Sequence, residues 1–200
     1  MKSSLAILLF FLLGCVGGLY YTADFDLHLL SVDVLYVLML LLGINLGCNQ
    51  DLKGFVRQFS FKMLLVPLAT VAGTFLFSAV AGFILSQWSV FDCMAVGSGF
   101  AYYSLSSIFI TEYRGAELGT IALLTNIIRE MITLLMTPLM AKWFGPLAPI
   151  SSGGATTMDT TLPIITQTIG QRYVALSIFH GFVTDFSVPF LVTMWCMLGA

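Results

Sequence analysis

Charge is what this 200-residue chain has least of. Lys, Arg, Asp and Glu make up 9% of it, where a water-facing protein carries roughly a quarter. With 58% of residues hydrophobic and a mean hydropathy of +0.98, a soluble fold would leave much of its Leu, Phe and Met in water. In lipid that exposure carries no penalty. The net charge of −2 offers no footprint for nucleic acid. Paired cysteines are missing too: Cys15, Cys48, Cys93 and Cys196 are scattered with no CxxC, so neither a metal site nor a redox pair is expected. There is no HExxH, no GxxxxGK[ST] and no nucleophile elbow, and therefore no cofactor or enzyme activity is expected. Asp159 with Asp185 could be imagined as an aspartyl-protease pair, but nothing around them supports it. No linker or low-complexity tail divides the chain.

What is present is a series of apolar segments. The length allows about six or seven membrane passes of about 20 residues each. Segment one, SSLAILLFFLLGCVGG, reads as a retained span rather than a signal peptide, because further spans follow at once. Asp24, Asp26, His28 and Asp33 separate it from segment two, VLYVLMLLLGINLG. Lys53, Arg57 and Lys62 form the only cluster of positive charge, which places that connection in the cytoplasm and the Asp-rich one outside. Segment three covers about 63–85 and emerges outside near Trp88 and Asp92. Segment four, MAVGSGFAYYSLSSIFITE, is of spanning length and rich in glycine and hydroxyls. Segment five covers about 119–140, and the last segment about 173–198. We therefore expect one integral membrane domain over 1–200, with a three-span leading portion at 1–90 and a polar core portion at 91–200.

Between the last two segments, Pro149, Gly153, Gly154 and Pro163 interrupt the stretch 146–170. Two half-helices meeting at an unwound centre would satisfy that composition, with the free backbone groups facing protein or water. The stretch could cross or re-enter; Arg172 on the cytoplasmic side slightly favours crossing and seven passes.

The polar residues lie inside these segments. Arg129 and Glu130 each cost about 3 kcal/mol at a helix centre and need partners. Glu130 shares a helix face with Asn126, which suits an ammonium or a proton; a structural salt bridge between helices is the alternative. In SSGGATTMD, Gly153 and Gly154 permit close backbone approach, Thr156, Thr157 and Thr160 supply hydroxyls, and Asp159 supplies a carboxylate. An ordinary capped helix start in a loop is the plainer reading. Tyr102, Tyr103, Ser104 and Ser106 could line an aqueous path or simply allow small-residue packing. His180 could relay protons or serve as a hydrogen-bonded structural residue.

These same stretches, GSGFAYYSLSSIFITE, NIIRE, GGATTMDTTLP and HGF, resemble the bacterial lysine exporter family LysO. The resemblance covers the later two-thirds of a full-length member, which has about three more spans in front. It implies export of L-lysine, and of the toxic analogue thialysine, driven by protons across the inner membrane. It also implies two essential intramembrane carboxylates, which fall on Glu130 and Asp159. More distantly the family is similar to inverted-repeat carriers with crossed, broken helices, which implies a second break elsewhere in the chain. Asp185 departs from the family pattern, which is apolar there. A small membrane partner of about three spans, meeting Gly14, Gly17, Gly18 and Gly43, or a homodimer, would complete such a carrier. A channel and a purely structural subunit are the rival functions.

Overall fold

The computed structural model describes residues 61–199, together with the isolated helical positions Leu9, Phe10, Leu13, Gly14, Val16, Gly17 and Ile44. Asp24, Asp26, His28, Asp33, Lys53, Arg57, Gly18 and Gly43, and with them the expected outer and cytoplasmic connections, lie outside the described residues. The chain divides into two compact units, Met1–Phe59 and Ser60–Ala200. Among the described residues the second unit is wholly helical. Its helices are α1 (Leu65–Ile84), α2 (Val90–Gly97), α3 (Tyr103–Arg114), α4 (Ala116–Phe144), α5 (Ala148–Gly153), α6 (Leu162–Ile169) and α7 (Val174–Leu198). Tight 3-10 turns cover Phe61–Leu64, Gly154–Met158 and Gln171–Tyr173.

Three stretches, Phe61–Ile84, Ala116–Phe144 and Gln171–Leu198, are long and apolar enough to cross a membrane. They also look outward as spanning helices should. Leu124, Ile128, Ile132 and Met136 form an exposed stripe at four-residue spacing on α4, and Phe182, Phe186 and Phe190 form another on α7. The protein is thus polytopic and all-α.

The short helices do something else. End to end, α2 and α3 would hold Asp92 and Arg114 about 30 Å apart at 1.5 Å per residue. Instead Arg114 Nε lies 2.8 Å from Asp92 Oδ1, and Arg114 Nη1 donates to the Gly199 carbonyl at 2.7 Å. α2 and α3 therefore form a hairpin that begins and ends at one face, beside the end of α7. Ser89 and Asp92 cap α2 reciprocally, which fixes the mouth of this first hairpin.

Connectivity requires a second hairpin. α4, at 29 residues, runs about 43 Å from the Arg114 face to the opposite one, where α5 starts three residues later. α7 ends at the Arg114 face, so it starts at the opposite face, and α6 is joined to it by one tight turn. α5 and α6 thus enter and leave on the side opposite the first hairpin. Arms of six to twelve residues span about 9–18 Å, enough to reach the middle of a hydrocarbon layer of about 30 Å but not to cross it. The stretch 146–170 is thus two short helices joined by a tight turn, the discontinuous arrangement its glycines and prolines lead one to expect. Segment four, of spanning length by sequence, is the other hairpin.

Two apolar clusters match this division. Ala95, Val96, Phe100, Ile110, Val188 and Val192 pack around the first hairpin, and Ile150, Ile164 and Ile165 pack around the second with Val66, Leu134 and Leu176. α1 belongs to this same unit, packing Val66 at one end and Phe75 at the other.

Candidate functional site

The hairpin tips meet. In the first, Phe100 and Ala101 adopt φ of 42° and 69°, conformations that side-chain-bearing residues resist and that need outside support. Asn126 on α4 supplies it. Its Oδ1 accepts from Ala101 N at 2.8 Å, and its Nδ2 donates to the carbonyls of Val96 at 3.1 Å and Ala122 at 2.9 Å. A Cβ at Gly99 would lie 2.4 Å from that nitrogen, so glycine is what lets the amide in. Asn126 is 1% exposed and its hydrogen bonds are spent on backbone. In this arrangement the amide clamps the fold.

In the second tip Gly154 takes φ 58°, and Ala155 N donates to the Phe100 carbonyl at 2.8 Å, joining the two hairpins. A Cβ at Gly154 would come within 2.3 Å of that same carbonyl oxygen. Gly153 permits similar closeness to Thr157 and Thr161. The Thr156 hydroxyl donates to the Gly153 carbonyl and Thr161 to the Thr156 carbonyl, so the unwound turn satisfies itself. Arg129 Nε and Nη2 donate to the Ser152 and Ser151 carbonyls at 2.9 and 3.1 Å, at the end of α5 where helix carbonyls lack partners. Its guanidinium also lies 5.4 Å over the Phe100 ring. Arg129 and Glu130 form no salt bridge with each other.

Glu130 turns the other way. Thr160, just past the second tip, donates its hydroxyl to Glu130 Oε1 at 2.5 Å. Asp159 Oδ1 accepts from the Thr160 N–H at 2.5 Å, so one threonine holds both carboxylates. Asp159 lies close enough to bear on Glu130, and both lie close enough to bear on the Tyr103 hydroxyl at the start of α3. Asp185 on α7 adds a third charge that acts on Asp159. α7 comes this close because Gly181, one turn before Asp185, packs against Met158 N, where a Cβ would lie at 2.6 Å. Both Glu130 and Asp159 are only partly buried, which leaves room for a small cation or a proton.

The remaining expected residues separate by role. His180 is fully buried, with Nε2 2.9 Å from Thr70 Oγ1 and Nδ1 3.3 Å from Thr157 Oγ1, tying α7 to α1 and to the second tip. Thr157 also donates to backbone carbonyls at Gly154 and Ser177. Tyr102 packs on the first cluster, while Tyr103 and Ser104 are exposed at the start of α3. Thr70, Thr133 and Ser152, which bond His180 and one another around the second tip, escaped sequence reading because single hydroxyls in apolar helices carry no local signal. Among the described residues no cluster of His, Cys, Asp and Glu could hold a metal ion.

The family model described as lysine exporter LysO matches residues 8–196, nearly the whole chain. The chain belongs to the LysO lysine exporter family. It is 32% identical over 166 residues to "Lysine exporter LysO" of Escherichia coli strain K12, covering 82% of this chain and 54% of that protein. It is 32% identical over 175 residues to "Putative lysine exporter" of Haemophilus influenzae, covering 84% of this chain and 87% of that protein. The chain thus spans about half the length of the Escherichia coli relative. No solved structure matches it. As a LysO family member with at least three spanning helices, it is a multi-pass protein of the bacterial inner membrane and of a transporter family, not an enzyme.

Proposed function

We propose that this chain exports L-lysine, and the analogue thialysine, in exchange for protons, with Glu130 and Asp159 as the carboxylates that alternate between the two. The observation that carries the reading is that Glu130 and Asp159, from different elements, share Thr160 beside the point where the hairpins cross. A dibasic substrate and a proton compete for the same negative charge there, which is what exchange requires. Tyr103 borders the site, and Asn126, Arg129, Gly153, Gly154, Thr156, Thr157 and His180 hold the surrounding backbone.

The order of elements supports an inverted repeat. α1 followed by the first hairpin and α4 followed by the second run in opposite senses, each a spanning helix and a half-crossing pair. One end of the unit carries Lys62, Lys142 and Arg172, and the other carries Glu112 and Glu117 with Arg114 paired to Asp92. By the positive-inside rule the Lys62 end is cytoplasmic and the first hairpin opens outward. Labelling of a cysteine placed at position 117 but not at 171 by an impermeant reagent is expected; the reverse pattern would invert the orientation.

We propose that a small membrane protein of about three spans, or a second copy of the chain, completes the carrier. Gly14 and Gly17, with no other atom near their missing Cβ, suit such a contact. Expression in a lysine-export-deficient bacterium tests the whole. With its partner the chain should confer thialysine resistance, and Glu130→Gln and Asp159→Asn should each remove it while membrane levels stay normal. Unchanged resistance in Asp159→Asn would sink the assignment.

A further inference from the structure

A groove of about 570 Å³ opens between α1 and α4. α1 lines it with Thr70, Thr74 and Ser78 among apolar neighbours, and Gly97, Arg129, Ser151 and Ser152 complete the lining. No carboxylate lines it. Arg129 has no ion-pair partner among the described residues, where the one salt bridge is Arg114 to Asp92. Of five guanidinium N–H donors, Nε and one at Nη2 are bonded, leaving three. A cation at membrane depth with spare donors, facing a mostly apolar groove that offers it no carboxylate, asks for an anion.

We infer that this groove binds a carboxylate, and, resting on the export reading, that it is the α-carboxylate of the amino-acid substrate. The chemistry is complementary. Lysine carries two ammonium groups and one carboxylate, and α4 places a cation and an anion on adjacent residues about 100° apart around its axis, Arg129 toward the groove and Glu130 toward Asp159. The guanidinium fork takes a carboxylate through paired N–H donors, while the Thr70 and Ser152 hydroxyls of the groove are already bonded to Val66 and Thr133. Gly73 leaves the groove open: an added Cβ there meets nothing within 4 Å.

Binding to the chain purified together with its membrane partner in lipid nanodiscs tests this, with L-lysine and cadaverine, its analogue without the carboxylate, as probes. The parent should bind L-lysine at least about tenfold more tightly than cadaverine, the size expected for a charge-assisted pair. Arg129→Gln should erase the difference. Arg129 also holds the second tip, so Gly73→Leu, which fills the groove without a clash, serves as the independent variant. It should weaken L-lysine about tenfold and leave cadaverine alone. Equal binding of the two probes by the parent, or a Gly73→Leu protein that still discriminates, would overturn the groove assignment while leaving export intact. Failure of the parent to bind L-lysine at all would overturn the export reading, and this inference with it.

Discussion

In the second hairpin the break is written in glycine and proline: Gly153 and Gly154 make the tip, and Pro149 and Pro163 open its two arms. In the first hairpin no proline lies between Val90 and Arg114, and the positive φ angles belong to Phe100 and Ala101. The second tip largely satisfies itself through Thr156, Thr157 and Thr161, with Arg129 reaching its carbonyls. The first makes turn bonds from Gly99, Phe100 and Tyr102 N–H, but its Ala101 N–H depends on one amide on α4. A break can thus be carried by local conformational freedom or by a remote side chain that replaces the lost helix bonds. The two routes should fail differently.

Asn126→Leu should have the largest effect. It strands the Ala101 N–H at membrane depth, at about 1–3 kcal/mol, while the Val96 carbonyl keeps only its turn bond from Gly99 N–H. Loss of the monodisperse peak in detergent, or a marked fall in thermal unfolding temperature, is the expected readout. A variant as stable as the parent would mean that the first hairpin does not depend on its clamp.

Gly154→Ala comes next. Backbone strain of about 1–3 kcal/mol is joined by a contact with the Phe100 carbonyl, so the bond between the tips should be lost along with efflux. Gly170→Ala sharpens the comparison, because its φ is also positive, at 93°, but nothing lies near the added atom. It should lower stability by the strain alone and leave efflux in place. Equal efflux loss in both would show that tip contact is irrelevant.

Arg114→Gln should be mildest. The pair with Asp92 sits at the mouth of the first hairpin, Arg114 is 21% exposed, and a partly exposed pair contributes about 1 kcal/mol or less. The effect should shrink further in high salt, measured as the change in unfolding temperature between low and high ionic strength.

Composition alone determined that this chain lives in lipid, since there is too little charge for a water-facing surface. The cost of burying an ionisable group singled out Arg129 and Glu130, and Gly153 with Gly154 marked the second tip, because those signals are local. Tertiary structure decided the rest. Whether residues 92–114 form a span or a hairpin depends on Arg114 meeting Asp92, a contact between side chains 22 positions apart. The role of Asn126 depends on a backbone 25 residues away, and helical spacing alone pairs it with Glu130 instead. Arg129 and Glu130 are neighbours in sequence, yet the turn of a helix sends one to the Ser151 and Ser152 carbonyls and the other to Thr160. Local propensity cannot see such assignments, because the partners that satisfy a broken backbone are chosen by the packing of distant helices.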